Sequence, residues 1–285
     1  MGILRLFLAL SVLSGHCESS SGAPCPVLDS HIWVHGYVAV CGFFIISGFY
    51  MAMVLDRKYR ANIGAFYLNR AARLAPVYWI VLLLFVVGNL LGLLAAVEGV
   101  NDPHSGQQMA SLSALIANIT LIPAPFAAAM DGFRYSSPWD RLISGQMFTV
   151  GLELMFYALV PLLVSLRRSM FVLAVAAALL VHFAPCALGV PARPWQYEFV
   201  PTILVFFLLG MAAYRMSQYT ALSERFRATG WLMLPVIGGY TYVFHDQLTW
   251  GFTNSIESWG LYLLVAFAVP VLFAASKTRP DVRLR

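Results

Sequence analysis

His16 follows Arg5 by 11 residues in an apolar N-terminal run, Arg5-Leu-Phe-Leu-Ala-Leu-Ser-Val-Leu-Ser-Gly-His16. On a helix that spacing is three turns plus about 20°, so both side chains leave one face, about 16 Å apart along the axis. One is a permanent cation able to anchor phosphate. The other is an imidazole that moves a proton near neutral pH. Arg70 and Arg73 repeat the cationic half as i, i+3 neighbours, just ahead of an apolar run that opens at Pro76. Two guanidiniums on one face suit phosphate, and they equally suit anionic lipid headgroups at a membrane rim. Glu153 is the acid of the set. It sits in Met147–Leu163, which carries no other charge. An ionised side chain in hydrocarbon costs at least about 2.5–3.5 kcal/mol on the insertion scale. Such a residue lines a polar cavity, pairs with an arginine or bonds one helix to another.

The elements that must hold these residues follow from composition. The chain has 285 residues, 60% hydrophobic and 11% charged, with a mean hydropathy of +0.76. A soluble domain carries about 25% charged residues. That excludes an ordinary soluble protein, a disordered chain and a coiled coil. The net charge of +5 and pI of about 9.1 come without a nucleic-acid motif, so no nucleic-acid partner is expected. Runs of spanning length fall at roughly 3–16, 35–55, 74–97, 146–166, 169–187, 198–215, 231–249 and 258–276. The stretch 110–129 is apolar too, but it holds Asn118, Pro123 and Pro125, which leaves it either spanning or re-entrant. The expectation is an all-α fold, a polytopic transmembrane helical bundle of about 8–10 spans, forming a single integral-membrane domain over residues 1–285.

Charge asymmetry chooses among topologies. With the N-terminus inside and 110–129 not crossing, 15 of the 18 basic residues fall inside, and Arg134, Arg141 and Arg193 fall outside. A ninth crossing would largely abolish that asymmetry. Eight crossings with a cytoplasmic N-terminus, in a bacterial inner membrane, are therefore expected. A rival reading takes Met1–Gly15 as a signal peptide. Cleavage there would remove Arg5 and leave His16 at the new terminus.

The remaining reactive residues are less telling. Cys17 and Cys25 share an outer loop and are either a small disulfide or two thiols. No CxxC pair exists, and no metal is expected. His31, His35 and His104 read as solvated histidines of outer loops. His182 reads as a satisfied helix-contact residue. His245 and Asp246 could form a coupled acid–base pair. There is no GxxxxGK[ST] loop, GxSxG elbow or HExxH motif, so ATP-driven transport and serine-hydrolase chemistry have no support.

Five stretches taken together resemble the acyltransferase-3 family of polytopic membrane O-acyltransferases. They are Arg5 to His16; Cys41-Gly-Phe-Phe-Ile-Ile-Ser-Gly-Phe-Tyr50; Phe66-Tyr-Leu-Asn-Arg-Ala-Ala-Arg-Leu-Ala-Pro-Val-Tyr78; Phe148-Thr-Val-Gly-Leu-Glu-Leu-Met-Phe-Tyr157 with Pro161; and Phe206-Phe-Leu-Leu-Gly-Met211. They stand in the family's order over residues 5–211. Phe148 replaces a usual tryptophan. The family's usual last helix, G-x-x-SY-x-x-YL-x-H, has no good counterpart before Arg285. The resemblance thus implies either a member lacking that helix or a piece of a longer chain.

The resemblance implies transfer of an acyl group, usually acetyl, from acyl-CoA to a hydroxyl of a carbohydrate or lipid-linked glycan. Arg5, Arg70 and Arg73 would bind the phosphates of the donor. His16 would act as general base, with Glu153 orienting it or stabilising its imidazolium; a covalent acyl-histidine relay stays open. Ser47 is expected to pack or hydrogen-bond rather than to act as a nucleophile. A different class fits the same residues: a transporter or flippase using His16 and Glu153 as a proton relay.

Overall fold

The computed structural model describes residues 2–21, 33–91, 118–120, 148–190, 195–219, 228–249 and 254–276. All its regular elements are helical: α1 (Gly2–Ser21), α2 (Gly36–Val54) with a π-helical turn (Leu55–Tyr59), α3 (Ile63–Leu90), α4 (Phe148–Ser165), α5 (Arg168–Ala187), α6 (Val200–Tyr219), α7 (Met233–Val243), α8 (His245–Thr249) and α9 (Ile256–Ser276). Among the described residues six helices are long and apolar enough to cross a membrane, and the apolar stretch Gly2–His16 of α1 is shorter. The chain is thus an all-α polytopic bundle of the kind expected.

Two boundaries differ from the hydropathy reading. α3 begins at Ile63 rather than near 74, so Arg70, Arg73 and Pro76 lie within one helix. Asn62 caps its start, accepting the Ala65 amide at 2.9 Å. The run 231–249 is not one span. It breaks at Phe244 into α7 and the short α8. Nearly all of 110–129, and Cys25, His31 and His104, lie outside the described residues. Of 110–129 only a turn at 118–120 is described. Its Asn118 carbonyl accepts the Tyr78 hydroxyl, and its Ile119 carbonyl accepts the Trp79 indole at 3.1 Å.

α2 is the central helix. Its buried residues, among them Val38, Phe44, Ile46 and Met51, cover most of its circumference and leave one less buried stripe through Val40, Phe43, Ser47, Tyr50 and Val54. It packs most closely on α6, and two glycines set that approach. A Cβ on Gly48 would fall on the Phe207 carbonyl, and one on Gly210 would fall on the Ile45 carbonyl. Small residues let apolar helices approach to backbone contact where no hydrophobic effect drives them together. This gives a physical reason for the glycines of the S-G-F and F-L-L-G-M stretches.

Two polar side chains join further helices to this centre. His182 of α5 is fully buried, with Nδ1 at 2.7 Å from the Thr202 carbonyl and Nε2 at 2.7 Å from Asn254 Oδ1. It is the satisfied contact residue its apolar setting predicts. Arg215 of α6 donates to the carbonyls of Leu163, Val164 and Leu166 at 2.9, 3.0 and 3.0 Å. Its guanidinium also lies 4.0 Å from the centre of the Phe171 ring. One cation thus satisfies the orphan carbonyls that end α4 and covers the turn into α5.

Candidate active site

α1 and α2 form an antiparallel pair. Leu4 and Leu8 are buried, and Leu8 fills the space above Gly42. A Cβ on Gly15 would stand 3.5 Å from the Gly36 amide. At the other end the Arg5 guanidinium lies 4.6 Å from the centre of the Tyr50 ring, a cation–π contact. The register places Arg5 beside the C-terminal half of α2 and His16 beside its first turn.

One cavity of about 1190 Å³ runs along this pair, walled also by α3, α4 and the segment before α6. It touches α2 from Gly36 to Val54, a length of about 27 Å by helix rise. That is close to the thickness of a bilayer's hydrocarbon core, about 30 Å. Arg5, His16, Arg70, Arg73 and Glu153 all line it. The five residues singled out by type and spacing therefore share one cavity.

Their arrangement is polar along its length. Arg5 stands at the end beside Tyr50, while Arg70 stands by Phe66, whose ring lies 6.4 Å from that of Tyr157. Arg5 and Arg73 are exposed, while Arg70 is 8% exposed and its guanidinium sits 5.7 Å from the Phe66 ring centre. The Arg70 Nε is buried and has no hydrogen-bond partner among the described residues. A buried donor without an acceptor is costly, and a bound anion would satisfy it. His16 lies at the other end and is exposed.

Glu153 lies between these ends and is half-buried. Its Oε1 accepts hydrogen bonds from the Ser47 hydroxyl and, at 2.5 Å, from the Tyr157 hydroxyl. Ser47 is thus a hydrogen-bonding residue, as its setting predicts. Glu153 does not hydrogen-bond His16. Ser47 stands 11 residues along α2 from Gly36, about 16 Å by helix rise, and Glu153 is tied to that level. The expected direct support of His16 by Glu153 is not made, because α4 delivers the carboxylate to the middle of α2.

Several lining residues escaped the sequence reading. Tyr157 stands four positions from Glu153, a spacing that brings two helix residues together and was legible in principle. His35, expected in a solvated loop, caps α2 and lines the cavity; its Nδ1 accepts the Tyr37 amide at 3.3 Å. Glu198 is 2% exposed and also lines the cavity. Nothing in the local sequence of either marks it as buried. Among the described residues no group of His, Cys, Asp and Glu could hold a metal ion.

A family model described as an acyltransferase domain matches residues 1–285, and the chain belongs to that family, acyltransferase-3. It is similar to the exopolysaccharide production protein ExoZ of Rhizobium meliloti (strain 1021), 27% identical over 183 residues. The match covers 61% of this chain and 51% of that relative, so the chain spans about half of the relative's length. No solved structure gives a significant match.

Proposed function

We propose that this chain transfers an acyl group, acetyl in the first instance, from acyl-CoA to a hydroxyl of a carbohydrate or lipid-linked glycan. The observation that carries the reading is the cavity itself: Arg5, Arg70, Arg73 and His16 all line it, with Arg5 and His16 at opposite ends of the α1–α2 pair. Acyl-CoA would supply the thioester and several phosphate charges. The three arginines hold those phosphates, with Arg70 offering a buried donor. His16 takes the proton from the acceptor hydroxyl as its oxygen attacks the thioester carbonyl. The new C–O bond forms, the C–S bond breaks, and the proton passes from His16 to the departing sulfur. General-base catalysis of this kind is worth about 10²–10⁴-fold.

Glu153, Ser47 and Tyr157 form a polar wall midway along the cavity. In this reading they position the thioester arm rather than His16. The charge asymmetry supports a cytoplasmic arginine end, where acyl-CoA is available. The similarity to an exopolysaccharide production protein supports a polysaccharide acceptor.

The test uses membranes carrying the wild-type chain or His16→Ala, incubated with acetyl-CoA labelled on its acetyl group. Free CoA and label in the glycan fraction are followed. Transfer that depends on His16 supports the assignment. Transfer unaffected by the substitution removes His16 as the base, and absence of donor binding by the wild type overturns the reading as a whole.

A further inference from the structure

Between Ser47 and His16 the cavity passes through a stretch walled by apolar side chains. The register of α1 on α2 locates it. A Cβ on Gly36 would stand 3.9 Å from the Val12 Cα, and one on Gly42 would stand 3.1 Å from the Leu8 side chain. Ala9 and Val12 of α1 therefore span the same levels as Val40 and Phe43 of α2, and all four line the cavity. Val150, three residues before Glu153 on α4, lines it too. By helix rise Val40 and Phe43 stand about 6 and 10 Å from Gly36, short of the Ser47–Glu153 bond at about 16 Å. Ala9 is exposed and the other four are half-buried, so accessible surface remains on each.

We propose that this apolar stretch is the acyl pocket of the donor, and that the Phe43 ring limits the length of the acyl chain it accepts. The proposal rests on the acyl-transfer reading above and names what selects the acyl group.

Three features carry it. The first is polarity. Acyl-CoA runs from phosphates, through the amides of its arm, to a thioester and a hydrocarbon tail. Along the α1–α2 pair the cavity runs from Arg5, past the Ser47–Glu153–Tyr157 cluster, to the apolar stretch and then His16. An amide or a sugar hydroxyl lodged among Ala9, Val12, Val40 and Phe43 would lose its hydrogen bonds to water and find no replacement. An acyl tail has none to lose. The second is position. Val40 is one helical turn from Gly36, the level of His16, so an acyl group held here keeps its carbonyl beside the acceptor hydroxyl that His16 deprotonates. The third is size. Phe43 is the bulkiest side chain of this wall and stands across from Ala9, the smallest. Each methylene beyond acetyl has to be fitted against that ring, and an apolar pocket discriminates by about 10–200-fold for a single methylene.

The full chain in lipid nanodiscs would test this. Labelled CoA bound to it is displaced by acetyl-, butyryl- or hexanoyl-CoA, and each affinity is expressed relative to unlabelled CoA. Wild type should bind hexanoyl-CoA about tenfold or more weakly than acetyl-CoA. Phe43→Ala should bring hexanoyl-CoA to the affinity of acetyl-CoA. Ala9→Leu, which fills the same space from α1, should weaken acetyl-CoA about tenfold. Both variants should keep wild-type affinity for CoA, which also reports that they fold. Val54→Ala, on the same stripe of α2 beyond Tyr50, should leave every ratio unchanged. Wild type that binds hexanoyl-CoA as tightly as acetyl-CoA overturns the proposal. So do ratios that Phe43→Ala and Ala9→Leu both leave unmoved, or that Val54→Ala moves as far. Loss of CoA binding in both pocket variants overturns it as well, since the stretch would then serve the fold or the arm. Wild type that binds neither CoA nor any acyl-CoA fails the underlying reading instead.

Discussion

The hydroxyl of Ser47 donates to the carboxylate of Glu153, linking the S-G-F stretch of α2 to the centre of α4. Even a half-buried acid among apolar helices needs donors to satisfy it, and Ser47 and Tyr157 supply two. Ser47→Ala should lower stability by about 1–3 kcal/mol, read as a lower midpoint of thermal unfolding in detergent. Glu153→Gln keeps a carbonyl oxygen for both donors and should cost less. Equal losses would mean that the charge, not the hydrogen bonds, sets the stability.

The glycine contact between α2 and α6 gives a sharper contrast. Gly210→Ala places a methyl on the Ile45 carbonyl and should destabilise by about 1–3 kcal/mol or more. Gly239 has open space around its Cβ position within α7. Gly239→Ala should therefore be neutral or stabilising by up to about 1 kcal/mol. Paired unfolding measurements in one detergent would check the opposite signs.

Arg70→Ala should raise the KM for acyl-CoA about tenfold or more, because a buried, charge-assisted contact to phosphate is lost. Arg70→Lys should recover little of it, since an ammonium lacks the planar fork of a guanidinium. A lysine variant with wild-type donor KM would argue that Arg70 acts as a plain topological anchor.

His16→Ala should lower kcat by about 10²–10⁴-fold while leaving equilibrium binding of donor nearly intact. The prediction needs His16 to be part of the mature chain. Leu4, Leu8 and Ser11 are buried against the bundle, which favours retention of α1. Intact-mass measurement of purified protein would show α1 present; a mass lacking the first 15 residues would remove both Arg5 and the mechanism.

The Arg5–Tyr50 contact should be worth about 0.5–2 kcal/mol of coupling. A double-mutant cycle with Arg5→Gln and Tyr50→Leu, read as donor affinity, measures it. Additive effects would mean that the ring does not orient the guanidinium.

Much of this was legible because it rests on single helices. Arg5 with His16, and Arg70 with Arg73, are fixed by the 3.6-residue period alone. The apolar runs gave the bundle for the same reason. The start of α3 was missed because its first turns, Ile63 to Leu74, mix charge with apolar residues and fall below a spanning criterion. The break at Phe244 is marked only by the short polar triplet His245-Asp246-Gln247, which a window of spanning length averages away. His35 was misplaced, and Glu198 passed unnoticed, because their burial is tertiary. The segments before α2 and α6 turn into the bundle, and the hydropathy of a residue's neighbours does not report that. Glu153 was found, but its partners were not, since a lone acid does not say which helix will satisfy it.

Arg215 touches three successive stretches of carbonyl around the α4–α5 turn, and that has a practical side. A short, polar connection between two helices is where an epitope or fluorophore is commonly inserted. Here an insert would crowd the guanidinium that holds the carbonyls of Leu163, Val164 and Leu166, and α4 carries Glu153. Labels for topology mapping belong elsewhere, because a reporter at this turn would alter the site it was meant to locate.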